Sequence, residues 1–149
     1  MKIVNEFKCA FSANSANEGL ARAALSAFVI PADPTAQELA DLRTVISEAV
    51  TNAIVHGYRG TSGEVSIMLR LLPERVVYIR VTDKGCGIPD VAKAMEPLWT
   101  SAPEEDRAGL GFAIMQTFTD SLHVRSVPGK GTVLTMRRRL GVQDANEAE

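Results

Sequence analysis

Apolar positions change their spacing several times along the chain, and each change marks an element. In residues 2–11, Ile3, Phe7, Cys9 and Phe11 alternate with polar neighbours, which predicts a strand. Residues 15–18 offer a helix start, and Leu20, Ala23, Ala24, Ala27 and Phe28 continue at helical spacing until Pro31 and Pro34 break it. Thr35, with Glu38 three residues on, forms a capping box. It opens a long helix to about His56, with Leu39, Leu42, Ile46, Ala49, Val50 and Ala53 as its apolar stripe and Gly57 as its stop. Strict alternation then returns at Val65, Ile67, Leu69 and Leu71, and again at Val77, Ile79 and Val81, with a turn at Pro73-Glu74.

A glycine-rich break, DKGCGIPD, follows the second of these strands. Residues 90–108 have no clear period and contain Pro97, Pro103 and the acidic run Glu104-Glu105-Asp106, a pattern that suits a lid better than a plain connection. A helix is expected from near Gly109, carrying Leu110, Ala113, Ile114, Thr117 and Phe118. Two closing strands, 122–127 and 132–139, are joined at Pro128-Gly129. This order predicts an α+β fold, one sheet with helices on one face. Residues 1–140 form a single domain in this reading, and 141–149 a polar tail.

Composition narrows the classes. The chain has 149 residues, 46% hydrophobic and 23% charged, which is the make-up of an ordinary soluble domain. A net charge of −2 argues against direct nucleic-acid binding. No apolar run approaches the roughly 20 residues that a membrane span needs. The start, MKIVNEFKCAF, lacks the apolar block of a signal peptide. Cys9 and Cys86 form no C-x-x-C pair, so no metal site or disulfide framework is indicated, and a reducing cytoplasm is expected. The run Arg137-Arg138-Arg139 reads as a solvated strand end.

Three features bear on chemistry. Glu48 and Asn52 stand four apart, on one face of the long helix. The Asn oxygen suits Mg²⁺, and a carboxylate one turn away can take a proton from a hydroxyl. Asp83 ends a strand and is followed by Gly85 and Gly87. A carboxylate there can accept from an exocyclic amine, and the glycines let backbone approach a flat ligand. Gly109 and Gly111, on either side of Leu110, open a helix whose bare amides suit phosphate, with Thr100, Ser101 and Arg107 just upstream. Taken singly, patterns of these kinds are more often a polar helix flank, a turn and a hinge. Two other signals fail. Residues 127–132, VPGKGT, lack the P-loop's first glycine and have Gly131 where Ser or Thr must follow Lys130. His56 and His123 have no partner at ligand spacing.

Taken in order, the E-x-x-x-N helix, the strand-ending D-x-G-x-G, the lid, the G-x-G helix start and a final Gly-Thr resemble the GHKL ATPase superfamily. The segments SEAVTNAIVHGY, VTDKGCGIPDVAKAMEPLWTS and AGLGFAIMQTFTD are similar to the bacterial anti-sigma factor serine kinases of that superfamily. FSANSANEGLARAALSAFV is similar to their first strand and helix, and the sporulation branch is the nearest. The resemblance implies a Bergerat fold with a mixed, mainly antiparallel sheet. It also implies ATP or ADP with Mg²⁺ as cofactors, a sigma F-like sigma factor as inhibited partner, an anti-anti-sigma factor phosphorylated on serine, and a homodimer. It assigns Glu48 as general base, Asn52 to Mg²⁺ and Asp83 to adenine with Thr132 in support. Gly85 and Gly87 line the base pocket in this scheme, and Gly109 and Gly111 border the phosphates. Arg22 is a candidate partner contact. Two positions depart from the pattern or leave it open: Ala108 stands where a Ser is expected, and Trp99 has no assigned role. A stress-response member of the same kinase group and a histidine-kinase catalytic domain are the alternatives.

Overall fold

The computed structural model describes residues 2–96 and 111–141. Five strands form one sheet in the order β1-β2-β3-β5-β4: β1 (Asn5–Ser12), β2 (Glu64–Leu72), β3 (Val76–Asp83), β4 (Ser121–Val127) and β5 (Gly131–Arg139). Every pairing among the described residues is antiparallel, so the expected mainly antiparallel sheet contains no parallel pair there. Alternate residues of β2, β3 and β5 are buried, among them Ile67, Leu69, Ile79, Val81, Leu134 and Met136. With α1 (Glu18–Val29) and α2 (Ala36–Thr51), they make one apolar core. Two shorter helices, α3 (Val91–Ala94) and α4 (Gly111–Thr117), complete the described elements.

Several boundaries differ from those read in the sequence. β1 begins at Asn5, and Ile3 and Val4 are exposed, because β1 lies at a sheet edge with no second neighbour to extend it. The first helix is preceded by a 3-10 turn, Ser15–Asn17, capped by Asn14, whose side chain accepts from the Ala16 amide at 2.9 Å. The face that α1 buries is Ala21, Leu25, Phe28 and Val29, whereas Leu20 is 57% exposed. An alanine-rich helix offers two stripes of similar apolarity, and the larger side chains Leu25 and Val29 decide which one turns inward.

The capping box at α2 is present on both sides: Glu38 N–H donates to Thr35 Oγ1 at 3.0 Å, and Thr35 N–H donates to Glu38 Oε1 at 2.9 Å. Gly57 does not end this helix. From Asn52 to Tyr58 the chain continues as a π-helical turn, and the reversal comes at Arg59, in the left-handed region at φ 50°. In the basic run, Arg137 and Arg139 are exposed, as expected of a solvated strand end, and Arg138 departs from that reading. Arg137 lies over the Tyr78 ring, while Arg138 donates to Asp41 Oδ2 at 3.2 Å and to the Phe118 carbonyl at 2.8 Å. Arg138 thus ties β5 to α2 and to the end of α4.

Thr35→Ala removes one half of the capping box and should cost about 1 kcal/mol of stability in urea denaturation, while Thr35→Ser should retain most of it.

Candidate functional site

The site is built where β3, β5 and the π-helical turn meet. Asp83, the last residue of β3, is buried and stands opposite Thr132 of β5. Its Oδ1 accepts from the Gly85 amide at 2.9 Å. Burial raises its pKa above the ordinary 3.8, and hydrogen bonds from the Gly85 and Thr132 backbone oppose that shift. Thr132 is itself buried, and its hydroxyl lies 2.8 Å from Ser126 Oγ, which also accepts from the Ile88 amide at 2.7 Å. Asp83, Thr132 and the glycine loop are therefore brought together, as the sequence led one to expect.

Close backbone approach explains the glycines. A Cβ at Gly85 would fall 2.1 Å from the Gly57 carbonyl oxygen. Gly87 has φ 76°, and a Cβ there would lie 2.4 Å from the Val127 carbonyl oxygen. The loop is stitched down by the Cys86 amide, which donates to Gly57 O at 2.8 Å, and by the Gly129 amide, which donates to Cys86 O at 2.6 Å. The Cys86 thiol is exposed and donates to His56 O at 3.1 Å.

Two contributors escaped the sequence reading. Gly57 supplies the backbone on which Asp83 and Gly85 rest. Tyr58 bridges two strands through its hydroxyl, which donates to Glu64 O at 2.5 Å and accepts from the Lys84 amide at 2.9 Å. The dipeptide Gly57-Tyr58 directly follows the E-x-x-x-N helix, and its position there was the available signal.

Glu48 and Asn52 lie on consecutive turns, with Asn52 at the junction between α2 and the π-helical turn. π-Helical turns of this kind frequently mark functional sites. Glu48 is only 5% exposed. A Cβ at Gly111 would sit 3.4 Å from Glu48 Oε2, so the start of α4 lies beside this carboxylate. Glu48 also lines a groove of about 930 Å³ over α1 and α2, together with Arg22, Ser47, Thr51 and Ile114. Arg22 donates to Ser47 Oγ at 2.9 Å. Thr100, Ser101, Arg107, Gly109 and Leu110 lie outside the described residues, as do Trp99, Ala108 and most of the expected lid and tail.

A larger cleft, about 1090 Å³, opens at the other end of the sheet, between Val76, Asp120 and Arg138. None of the candidate site residues lines it, and its charged walls are already engaged in ties such as Arg138–Asp41. No group of three or more potential metal-ligating His, Cys, Asp or Glu side chains occurs among the described residues. No helix among them is long and apolar enough to cross a membrane.

A profile of the histidine kinase-like ATPase domain matches residues 11–138. The chain is 45% identical to the anti-sigma F factor of Thermoanaerobacter sp. (strain X514) over 141 residues, 95% of this chain and 98% of that protein. It is 46% identical to the anti-sigma F factor of Clostridium perfringens (strain 13 / Type A) over 136 residues, 91% and 97% of the two chains. The chain belongs to the histidine kinase-like ATPase family, in its anti-sigma factor branch. Membership implies ATP binding. Solved structures agree on the fold. The RsbU and RsbW domains of Rv1364c from Mycobacterium tuberculosis align with a TM-score of 0.67 at 20% identity, over 92% of this chain and 33% of that longer one. The histidine kinase domain of the Erythrobacter litoralis EL346 blue-light activated kinase aligns with a TM-score of 0.52 at 24% identity, over 69% and 45%.

The raised pKa of Asp83 has a testable consequence. The folded state holds this proton more tightly than the unfolded chain, so the site adds stability below pH 3.8 and loses it as pH rises through the folded value. Asp83→Asn should gain stability relative to the parent as urea denaturation moves from pH 3.5 to pH 7; a constant difference would contradict the assigned cause.

Proposed function

We propose that this protein is an anti-sigma factor and protein serine kinase: it sequesters a sigma F-like sigma factor and uses Mg-ATP to phosphorylate a serine of an anti-anti-sigma factor. The observation that carries the reading is the position of Glu48. Its carboxylate is nearly buried, lies against the start of α4, and still lines the groove over α1 and α2. A hydroxyl entering along that groove would meet a carboxylate able to orient it or accept its proton.

The other roles follow from chemistry and position. Asp83 accepts from the adenine amine, with Gly85 and Gly87 lining the base pocket and Thr132 behind the carboxylate. Asn52 would supply an oxygen to Mg²⁺, and the cation would neutralise charge developing in transfer. The phosphate contacts are assigned to Gly109, Leu110 and Gly111, with Thr100, Ser101 and Arg107 as further candidates; all but Gly111 lie outside the described residues. Arg22 lines the same groove as Glu48, which supports its reading as a partner contact; its bond to Ser47 would be exchanged or shared on docking. The protein acts in the cytoplasm as a homodimer. ATP and ADP favour different partners through the lid.

Phosphoryl transfer rests mainly on positioning and charge, so losing the carboxylate should impair turnover more than binding. Glu48→Gln should retain ATP affinity within about twofold and lose phosphotransfer by 10²-fold or more, the range for a general base. With labelled ATP and the anti-anti-sigma partner, the parent's label should survive acid, as phosphoserine does. An acid-labile label or an unchanged rate in the variant would refute the assignment.

A further inference from the structure

Gly57 has an ordinary backbone conformation, and it is absent from the glycines that adopt positive φ. Conformational freedom is therefore not what demands glycine here. The demand comes from one neighbour. A Cβ built on Gly57 would lie 2.7 Å from Asp83 Oδ1, 2.9 Å from its Cγ and 3.1 Å from its Oδ2, and these are its three nearest atoms. The carboxylate of Asp83 thus occupies the space a side chain at position 57 would take. The Gly57 carbonyl holds the following loop through the Cys86 amide at 2.8 Å.

We propose that Gly57 is a positioning residue for nucleotide selectivity: its missing side chain sets where the Asp83 carboxylate stands, and hence whether the site prefers a purine with a 6-amino group. This rests on the reading of Asp83 as the group that accepts from the adenine amine. The contrast with Gly85 makes the idea separable from a role in folding. A methyl at Gly85 meets main chain, the Gly57 carbonyl at 2.1 Å, and the loop itself would have to move. The three atoms nearest a methyl at Gly57 all belong to the end of the Asp83 side chain, which can rotate, so the fold can absorb it by turning the carboxylate away from its place.

The test uses the full chain and two nucleotides, ATP and inosine triphosphate, in which a carbonyl replaces the 6-amino group. Equilibrium binding should show that the parent prefers ATP. Gly57→Ala should weaken ATP by about tenfold or more, the scale of one hydrogen bond to a charged group. Inosine triphosphate should change less than twofold, and the thermal midpoint should stay within a few degrees. On an Asp83→Asn background, Gly57→Ala should have no further effect on the ATP preference. If the parent does not distinguish the two nucleotides, or Asp83→Asn leaves the distinction intact, the reading of Asp83 fails. If Asp83→Asn abolishes the preference while Gly57→Ala preserves it, or lowers both nucleotides equally, the inference about Gly57 fails alone. A Gly57→Ala chain that does not fold also overturns it, because the inference requires the carboxylate to give way and the backbone to stay.

Discussion

A carboxylate buried at the end of a β-strand needs donors and room, and meeting both needs for Asp83 shapes this whole end of the sheet. Desolvation works against the charged form, and the Gly85 and Thr132 backbone compensates only in part. The donors require the chain to turn back at once after β3, which is why residues 84–87 are pulled onto the π-helical turn. The room requires glycine at 57, and the resulting backbone contact requires glycine at 85. Ser126 and Thr132 then close the far side. The cost of keeping this group ionised is the kind of local destabilisation expected where a site is prepared for a ligand.

The same geometry links the surroundings of Asp83 to the groove over the helices. Asn52–Tyr58 carries Gly57 at one end and the Asn52 junction with α2 at the other, and Glu48 lies one turn further back. The helix is held in register by its capping box, by its buried face of Leu42, Val45, Ile46 and Ala49, and by Arg138 reaching across from β5 to Asp41. Glu48, Asn52 and Gly57 therefore share one continuous helical element, and the spacing between them is set by covalent chain rather than by loose packing.

Much of this was legible in the residues. The alternation in β2 and β3 and the Thr35–Glu38 box follow from local chemistry, and both appear as expected. What was not legible depends on partners distant in sequence. Leu20 and Leu25 are equally good on an isolated helix, and only the sheet beneath decides that Leu25 is the one buried. Gly57 looked like a helix stop because a glycine near a helix end usually is one. Its real constraint comes from Asp83, 26 positions later, and no local rule contains that contact. Arg138 likewise seemed a solvated charge until β5 was placed beside α2.

Hydrogen exchange of backbone amides, followed with and without Mg-ATP, tests the central claim most directly. The account predicts slowed exchange on nucleotide addition in residues 52–58 and 83–88, the two segments that meet at Gly57 and Asp83. Slowing confined instead to residues 72–76 and 117–121, which line the larger cleft at the opposite end of the sheet, would contradict it.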